Sequence, residues 1–429
     1  MVVSDLEVIT LTPTSAVITW ITRASWLGGV PHPITAGTEL LLGPADGPLR
    51  KVHDDPTPRA FHVVEVTGLE PGRRYRFRAS SDGHPARAGL RTTRRPGCAE
   101  QSLEFTTLTP PPGDYLTTIA VLNDIHIGEQ RQGIVLGDLP TSVRPRPEQV
   151  DYPTVMTKAI LADLTTRRDR PLLLVNGDLS YGNLRAEVLQ ARALLDGYGR
   201  AGVDWVVTRG NHDHPRRDDD PFGEHFVPYQ HAQTVMDATG LRILAIDSTR
   251  GSGGGWLTGE QYQQIMAELA SDPDRPTVAM AHHPATNEAA WSAVSGPQFM
   301  LRARDRLRLQ LIERQAPGVF LHLAGHTHRQ RRDRADLFGA HTQYLETAAG
   351  AAYPGGFNLV HLYTGGYLVN FWRPDSPDAL DWLFRSRWQS LGLGAPLMLG
   401  STEDRNHVVR VDLSGLNPSG RPVPAELVG

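Results

Sequence analysis

The sequence predicts an α/β domain over residues 115–429, preceded by a small all-β domain over residues 1–107. Three observations carry this. The first hundred residues break into short segments rich in β-branched and aromatic side chains, separated by turn formers. The run Thr107-Leu-Thr-Pro-Pro-Pro-Gly113 then interrupts every periodic pattern. Consecutive prolines lack the N–H groups that a strand needs, so residues 108–114 read as a stiff linker. From Tyr115 onward, apolar strands ending in polar residues alternate with longer helical stretches, the pattern of a sheet covered by helices. A chain of 429 residues is also too long for one ordinary core and comfortable for two.

In the first domain the expected strands are Leu6–Thr10, Ala16–Thr22, Gly37–Leu42, Ala60–Val66, Arg74–Ala79 and Leu103–Thr107. Ala16, Ile18 and Trp20 alternate onto one face, which makes Trp20 a core residue rather than a ligand platform. Gly68-Leu-Glu-Pro-Gly-Arg-Arg-Tyr75-Arg-Phe77 resembles a loop and strand of the fibronectin type III and immunoglobulin-like superfamily, with its buried tyrosine. The resemblance implies a β-sandwich, and nothing in the segment offers a set of chemical groups suited to catalysis.

In the second domain the strands are Thr118–Asn123, Pro171–Asn176, Trp205–Arg209, Arg242–Asp247, Thr277–His282 and Val319–Ala324. Helices are expected over Tyr152–Thr166, Leu184–Tyr198 and Thr258–Leu269. The last opens on Thr258-Gly-Glu-Gln261, which has capping-box spacing. Phe357–Tyr363 and Tyr367–Trp372 flank Thr364-Gly-Gly366 as a hairpin, and Val408–Val411 reads as an edge strand. Gly128–Val150 and Ser248–Trp256 fit no regular element. The glycine run within the second lacks the spacing of a nucleotide-binding loop and reads as plain loop.

Composition narrows the function. Apolar residues make up 40% of the chain and charged residues 21%, at a formal net charge of −4. A protein gripping nucleic acid by its phosphates would carry a basic excess, so nucleic acid is not the expected partner. The single cysteine, Cys98, permits neither an intrachain disulfide nor a cysteine metal cluster. No secretory pattern opens the sequence and no apolar run reaches membrane-spanning length; a cytoplasmic setting is the expectation, with secretion the alternative if the sequence was trimmed.

The chemistry lies just past the buried strands. Asp124 and His126 stand in Asn-Asp-Ile-His, Asp178 in Asn-Gly-Asp, and Asn211 and His212 in Gly-Asn-His-Asp. His282 follows in Ala-His-His-Pro, then His326 and His328 in Gly-His-Thr-His. Strand carboxyl ends converge on the crevice of an open α/β sheet, so these distant segments can meet. Mixed oxygen and nitrogen donors suit manganese, iron or zinc. Asp124, His126, Asp178, Asn211, His282, His326 and His328 are too many ligands for one catalytic ion, and suit two if one carboxylate bridges. Any one of these pieces alone has an ordinary structural explanation. Their joint placement, each beside a turn-forming glycine or proline, does not.

The ordered set Asp-x-His, Gly-Asp, Gly-Asn-His-Asp, His, Gly-His-x-His resembles the calcineurin-like metallophosphoesterase superfamily over residues 115 to 375. The resemblance implies a four-layer α/β/β/α sandwich and a metal-dependent phosphoric ester hydrolase. It also implies one ion on Asp124, His126, Asp178 and His328. A second ion falls to Asp178, Asn211, His282 and His326, with Asp178 bridging and His283 a neighbour. Water activated by the metals then attacks phosphorus opposite the leaving oxygen. His212 can steady charge or protonate the leaving group. Asp213 is open between orienting His212 and capping the turn, and Arg209 between reaching a phosphate and facing solvent.

A sandwich ahead of such a core is similar to the purple acid phosphatases, as is Gly177-Asp-Leu-Ser-Tyr181, where that family has a tyrosine on ferric iron. His126 stands where those enzymes usually have a non-ligating residue and can replace the tyrosine. Tyr181 is therefore open between bracing the ligands, filling the core and binding iron, and a colourless enzyme is favoured. The expected substrate is a small organic phosphate, cleaved by a phosphatase or phosphodiesterase. A nuclease and a catalytically silent metal-containing binding module are the rival readings. Specificity is expected from Gly128–Val150, His214–Tyr229, Asn287–Arg304 and His341–Phe357, with His214, His225, His341 and Tyr344 as candidates.

Overall fold

The computed structural model describes residues 1–25, 30–89, 98–133, 142–147, 151–217, 219–251, 253–291 and 299–428. Parts of the expected specificity loops, at 134–141, 148–150, 218 and 292–298, lie outside the described residues, as does position 252 of the glycine run.

The N-terminal strands are β1 (Val2–Leu11), β2 (Ala16–Arg23), β3 (Ala36–Pro44), β4 (Arg50–Arg59), β5 (Phe61–Val66), β6 (Arg74–Ser81), β7 (His84–Pro85) and β8 (Glu104–Thr106). They form two sheets, β1-β2-β5 and β4-β3-β6-β7, with β8 on β6. Ile18, Trp20, Leu40, Leu42, Tyr75 and Phe77 meet between them in one core, giving a fibronectin type III or immunoglobulin-like sandwich. Trp20 is a core residue. It stacks on His62 at 5.0 Å and donates from Nε1 to Ser81 Oγ at 2.9 Å. The Tyr75 hydroxyl accepts from the Glu70 amide at 2.9 Å, closing the loop before its strand. Strand β4 escapes a reading of periodicity because it contains Pro56 and Pro58 and lies mostly in solvent. At the edge of its sheet those missing N–H groups break no ladder.

The second domain contains β9 (Tyr115–Leu122), β10 (Leu172–Asn176), β11 (Trp205–Thr208), β12 (Ala232–Met236), β13 (Arg242–Ile246), β14 (Thr277–Ala281), β15 (Val319–Ala324), β16 (Arg331–Asp333), β17 (Gln343–Glu346), β18 (Phe357–Tyr363), β19 (Gly366–Trp372) and β20 (Asn406–Arg410). Two six-stranded mixed sheets result, β11-β10-β9-β18-β19-β20 and β12-β13-β14-β15-β17-β16. Within β9 the side chains alternate. Ile119 and Val121 point into the inter-sheet core with Val278, Met280, Leu321 and Leu323. Ala120 and Leu122 point outward, onto the helices Tyr152–Thr166 and Arg185–Tyr198. On the opposite face Leu244, Ala279 and Val319 pack on the helices Gly259–Ser271 and Ala303–Arg314. The layers are therefore α/β/β/α.

Thr258 Oγ1 accepts from Gln261 N at 3.1 Å, completing the expected cap. The β18–β19 hairpin pairs Tyr363 with Gly366, and β20 forms the edge beside β19. The helix Ala303–Arg314 is hidden in the sequence by its arginines, and only its Leu309 and Ile312 face reaches the core. No helix among the described residues is long and apolar enough to cross a membrane.

The two domains are bonded along β1. Thr10 Oγ1 donates to Phe371 O at 2.6 Å, Leu11 N to Asn406 Oδ1 at 2.9 Å, and Arg405 to both Val8 O and Glu100.

Candidate metal centre

Strands β9, β10, β11, β14 and β15 run in parallel within their sheets where they neighbour one another, so their carboxyl ends lie on one side. Strands β9, β10 and β15 are followed by sharp backbone turns. Asp124, His126, Asp178, His326 and His328 all have positive φ, from 48° to 67°. Side chains other than glycine rarely adopt this conformation, and it persists where surrounding contacts over-determine it. The turns aim carboxylates and imidazoles across the gap between the two sheets.

Three groups of metal-ligating atoms converge there: Asp124 with His126 and His328, His126 with Asp178 and His212, and Asp178 with His282 and His326. His126 Nε2 lies 3.6 Å from Asp178 Oδ2 and 3.7 Å from Asp124 Oδ1. His328 Nε2 lies 3.3 Å from Asp124 Oδ1, and His282 Nε2 lies 3.2 Å from Asp178 Oδ2. Asn211 Oδ1 joins at 3.1 Å from His282 Nε2. All seven expected ligands are thus brought together, with Asp178 between the groups.

The donors fit metal ions by what they lack. Among the described residues, Asp124 Oδ1, His126 Nε2 and His326 Nε2 are buried without a hydrogen-bond partner. Buried polar atoms are nearly always paired, and these three belong to residues of the convergent groups. Their neighbours are fixed: His282 Nδ1 donates to Asn176 O at 2.9 Å, which turns Nε2 into the centre. Asp178 Oδ1 accepts from His212 N at 2.8 Å, and Asp124 Oδ2 from His326 N at 3.1 Å.

Electrostatics agree. Burial disfavours a charged His126, but Glu129, Asp124 and Asp178 together outweigh it and push its pKa up to about 10. Burial likewise opposes charge on His282, and Asp178 and Asp124 push it up to about 9. Burial with the neighbouring His282 holds His326 down at about 3. Around His126 and His282 the carboxylates favour positive charge, which a bound cation would also supply.

His212 is half-exposed at the rim. Its Nδ1 donates to Tyr181 O at 2.7 Å, and its ring stacks on Tyr181 at 5.2 Å. Tyr181 is 45% exposed, so it is not a core residue. His283 is a neighbour of the centre, with Nδ1 2.8 Å from Ser248 Oγ.

Two expected catalytic residues are corrected. Arg209 is fully buried, bonded through NH1 and NH2 to the Asp220 carboxylate at 2.7 and 2.8 Å and to the carbonyls of Asp213 and Val227. It reaches neither phosphate nor solvent. Asp213 accepts from the amides of Leu179, Ser180 and Gly210 and from Ser180 Oγ, so it brackets two ligand turns and does not orient His212. Arg209→Ala is accordingly expected to destabilise the protein by about 3 kcal/mol, because Asp220 loses its partner. Urea denaturation measures this; unchanged stability with a raised KM would return Arg209 to substrate binding.

Sequence reasoning missed Glu129, which is buried near His126 and accepts from the Tyr152 hydroxyl at 2.6 Å. It also missed Phe299, stacked on His326 at 4.8 Å. No spacing signal marks either. The glycine run is loop as expected, yet it lies on the site: a Cβ at Gly255 would meet the His283 ring at 2.6 Å, and one at Gly253 would touch Phe299. Of the outlying candidates, Tyr344 is buried and bonds Glu313 at 2.6 Å, and His214 Nε2 lies 3.0 Å from the Tyr229 hydroxyl. His225 ends the short helix Pro221–His225, and His341 is exposed.

Two facing sheets with convergent Asp, His and Asn side chains at their strand ends are the frame of a metallophosphoesterase domain. Residues 117–330 match the family model described as calcineurin-like phosphoesterase, and the α/β domain of this chain belongs to that family. Among curated relatives, the glycerophosphodiester phosphodiesterase GpdQ of Enterobacter lignolyticus (strain SCF1) is 30% identical over 135 residues, 29% of this chain and 46% of the relative. The match thus spans about half that relative's length. A probable cyclic nucleotide phosphodiesterase of Synechococcus sp. (strain WH7803) is 28% identical over 226 residues, 50% of this chain and 75% of the relative. Among solved structures, purple acid phosphatase PPD1 from yellow lupin (Lupinus luteus) seeds is similar at a TM-score of 0.42 and 15% identity, over 87% of this chain and 72% of that one. A dimetal phosphatase from Danio rerio is similar at 0.47 and 15% identity, over 60% and 96%.

Proposed function

We propose that this protein hydrolyses a small organic phosphate ester with two metal ions, from manganese, iron or zinc. Asp124, His126, Asp178 and His328 hold one ion and Asp178, Asn211, His282 and His326 the other. The observation that carries the reading is the set of buried donor atoms on Asp124, His126 and His326 without hydrogen-bond partners among the described residues, in groups that share His126 and Asp178. When bound, the ions supply Lewis-acid charge for the phosphoryl oxygens and lower the pKa of the attacking water.

The chain's own residues do the rest. His212 donates a hydrogen bond from Nδ1 to the Tyr181 carbonyl, which leaves Nε2 to meet the substrate and, when it is protonated, to pass its proton to the leaving oxygen. Tyr181 braces that ring from its exposed side by stacking on it. Phe299, stacked on His326, presents an apolar wall at the other side of the centre. Both curated relatives are named phosphodiesterases, which supports a diester substrate.

The test is hydrolysis by manganese-reconstituted protein across matched mono- and diesters. Turnover of a diester that chelation abolishes is expected. Two bound ions without turnover of any ester would leave the silent binding module in its place. Phe299→Ala is expected to raise KM for an aryl diester about fivefold, near 1 kcal/mol, with kcat held within about twofold. An unchanged KM would remove Phe299 from the substrate wall.

A further inference from the structure

We infer that the N-terminal sandwich helps to hold the metal centre, with Glu7 of β1 as a positioning residue for Asp124 and His328. The inference rests on the ligand assignment proposed above.

Glu7 is buried, and its carboxylate is bonded by three side chains of the other domain. Tyr353 donates its hydroxyl to Oε1 at 2.6 Å, Arg373 donates to Oε2 at 2.7 Å, and Arg387 NH1 donates to Oε1. Arg387 also donates to Asp5 Oδ1 at 2.8 Å, so two acids of the sandwich meet two arginines of the α/β domain around one tyrosine. Burial raises the Glu7 carboxyl, but Arg387 and Arg373 outweigh it and hold it at about 2. Charges buried this deeply are tolerated only with every partner in place, which makes the junction geometrically strict.

Two connections lead from Tyr353 to the metal centre. The first is backbone. Two residues before Tyr353, the Ala351 amide donates to the Asp124 carbonyl at 3.2 Å, and Gly350 N donates to Asn123 O at 2.8 Å. Asp124 has φ +50°, a strained conformation that needs such bonds on both sides; its own amide is held by Gly177 O at 3.1 Å. The second is made of side chains. Gln389 Nε2 donates to the Tyr353 carbonyl at 3.3 Å, and the Gln132 amide lies 3.5 Å from both Gln389 Oε1 and His328 Nδ1. Both connections end on the same proposed ion.

The interface contains its own control. Glu100 pairs with Arg405 at 3.1 Å across the same domain boundary, and both are buried. Among the described residues, their hydrogen bonds run to Val8, Cys98, Leu399 and Gly400 and not to the segment before Tyr353.

The experiment titrates manganese into the full-length metal-free protein as wild type, Glu7→Gln and Glu100→Gln, with thermal denaturation alongside. Glu7→Gln is expected to weaken one of the two sites about threefold or more, less than the tenfold that loss of a ligand's direct hydrogen-bond partner brings. Glu100→Gln is expected to lower the melting temperature and leave both sites unchanged. Tyr353→Phe keeps both arginine pairs of Glu7 and carries the test if Glu7→Gln does not fold; the same selective weakening is expected. Two tight sites in these variants, with only a lowered melting temperature, would overturn the inference. A wild type that binds fewer than two ions would overturn the ligand assignment itself, and the inference with it.

Discussion

Asp178→Asn is expected to lower kcat at least a thousandfold, about 4 kcal/mol of transition-state stabilisation, and to weaken both metal sites. Asp178 is shared by two of the convergent groups, one with His126 and His212 and one with His282 and His326. Its Oδ2 lies 3.6 Å from His126 Nε2 and 3.2 Å from His282 Nε2. Its Oδ1 is already engaged by the His212 amide at 2.8 Å, which fixes the rotation of the carboxylate. An asparagine preserves the volume and one oxygen but removes the charge. That charge prevails over burial, with His282, His212 and His126 holding the carboxyl far below the usual carboxylate range. With it gone, Asp124 is the remaining carboxylate among the proposed ligands, beside four histidines, and the group placed to serve two ions is lost. Metal analysis and single-turnover kinetics read the two effects separately. A variant that keeps both ions and turns over normally would remove Asp178 from the bridge.

The second large effect comes from a residue with no functional group. A Cβ at Gly210 would fall inside the van der Waals radii of both Oδ1 and the backbone nitrogen of Asp178. Backbone cannot yield as a flexible side chain can, so Gly210→Ala must push apart the turns that carry Asp178 and Asn211. Expected are a destabilisation of about 2–4 kcal/mol and loss of metal retention beyond what the stability change alone produces. Denaturation and metal content on the same preparation check this. Alanine at Gly197, whose Cβ would meet nothing within 4 Å, is the comparison that should leave the metals in place.

The two-layer core and the ligand set were legible in the sequence because both are written locally. Buried parallel strands read as apolar runs, and their ends are where polar residues have to be explained. Thr118–Asn123 and Thr277–His282 show both features within six residues. What failed was direction. Arg209 and Asp213 flank Asn211 and His212 so closely that adjacency suggested chemistry, yet one turns into the Asp220 pair and the other beneath Leu179 and Ser180. Sequence proximity does not say which side of a turn a side chain leaves from. Glu129, Phe299 and Glu7 were out of reach for a different reason. Each matters through a partner far along the chain, as Glu7 does through Tyr353, and no periodicity marks such a meeting. Strand β4 was lost to its prolines and the helix Ala303–Arg314 to its arginines, both features of surfaces that leave the core pattern thin.

Two metal ions that share Asp178 would show in anomalous diffraction from crystals grown with manganese or zinc. Two peaks about 4 Å apart are expected: one among Asp124, His126 and His328, one among Asn211, His282 and His326, with Asp178 between. A single peak, or two peaks that do not share Asp178, would contradict that arrangement.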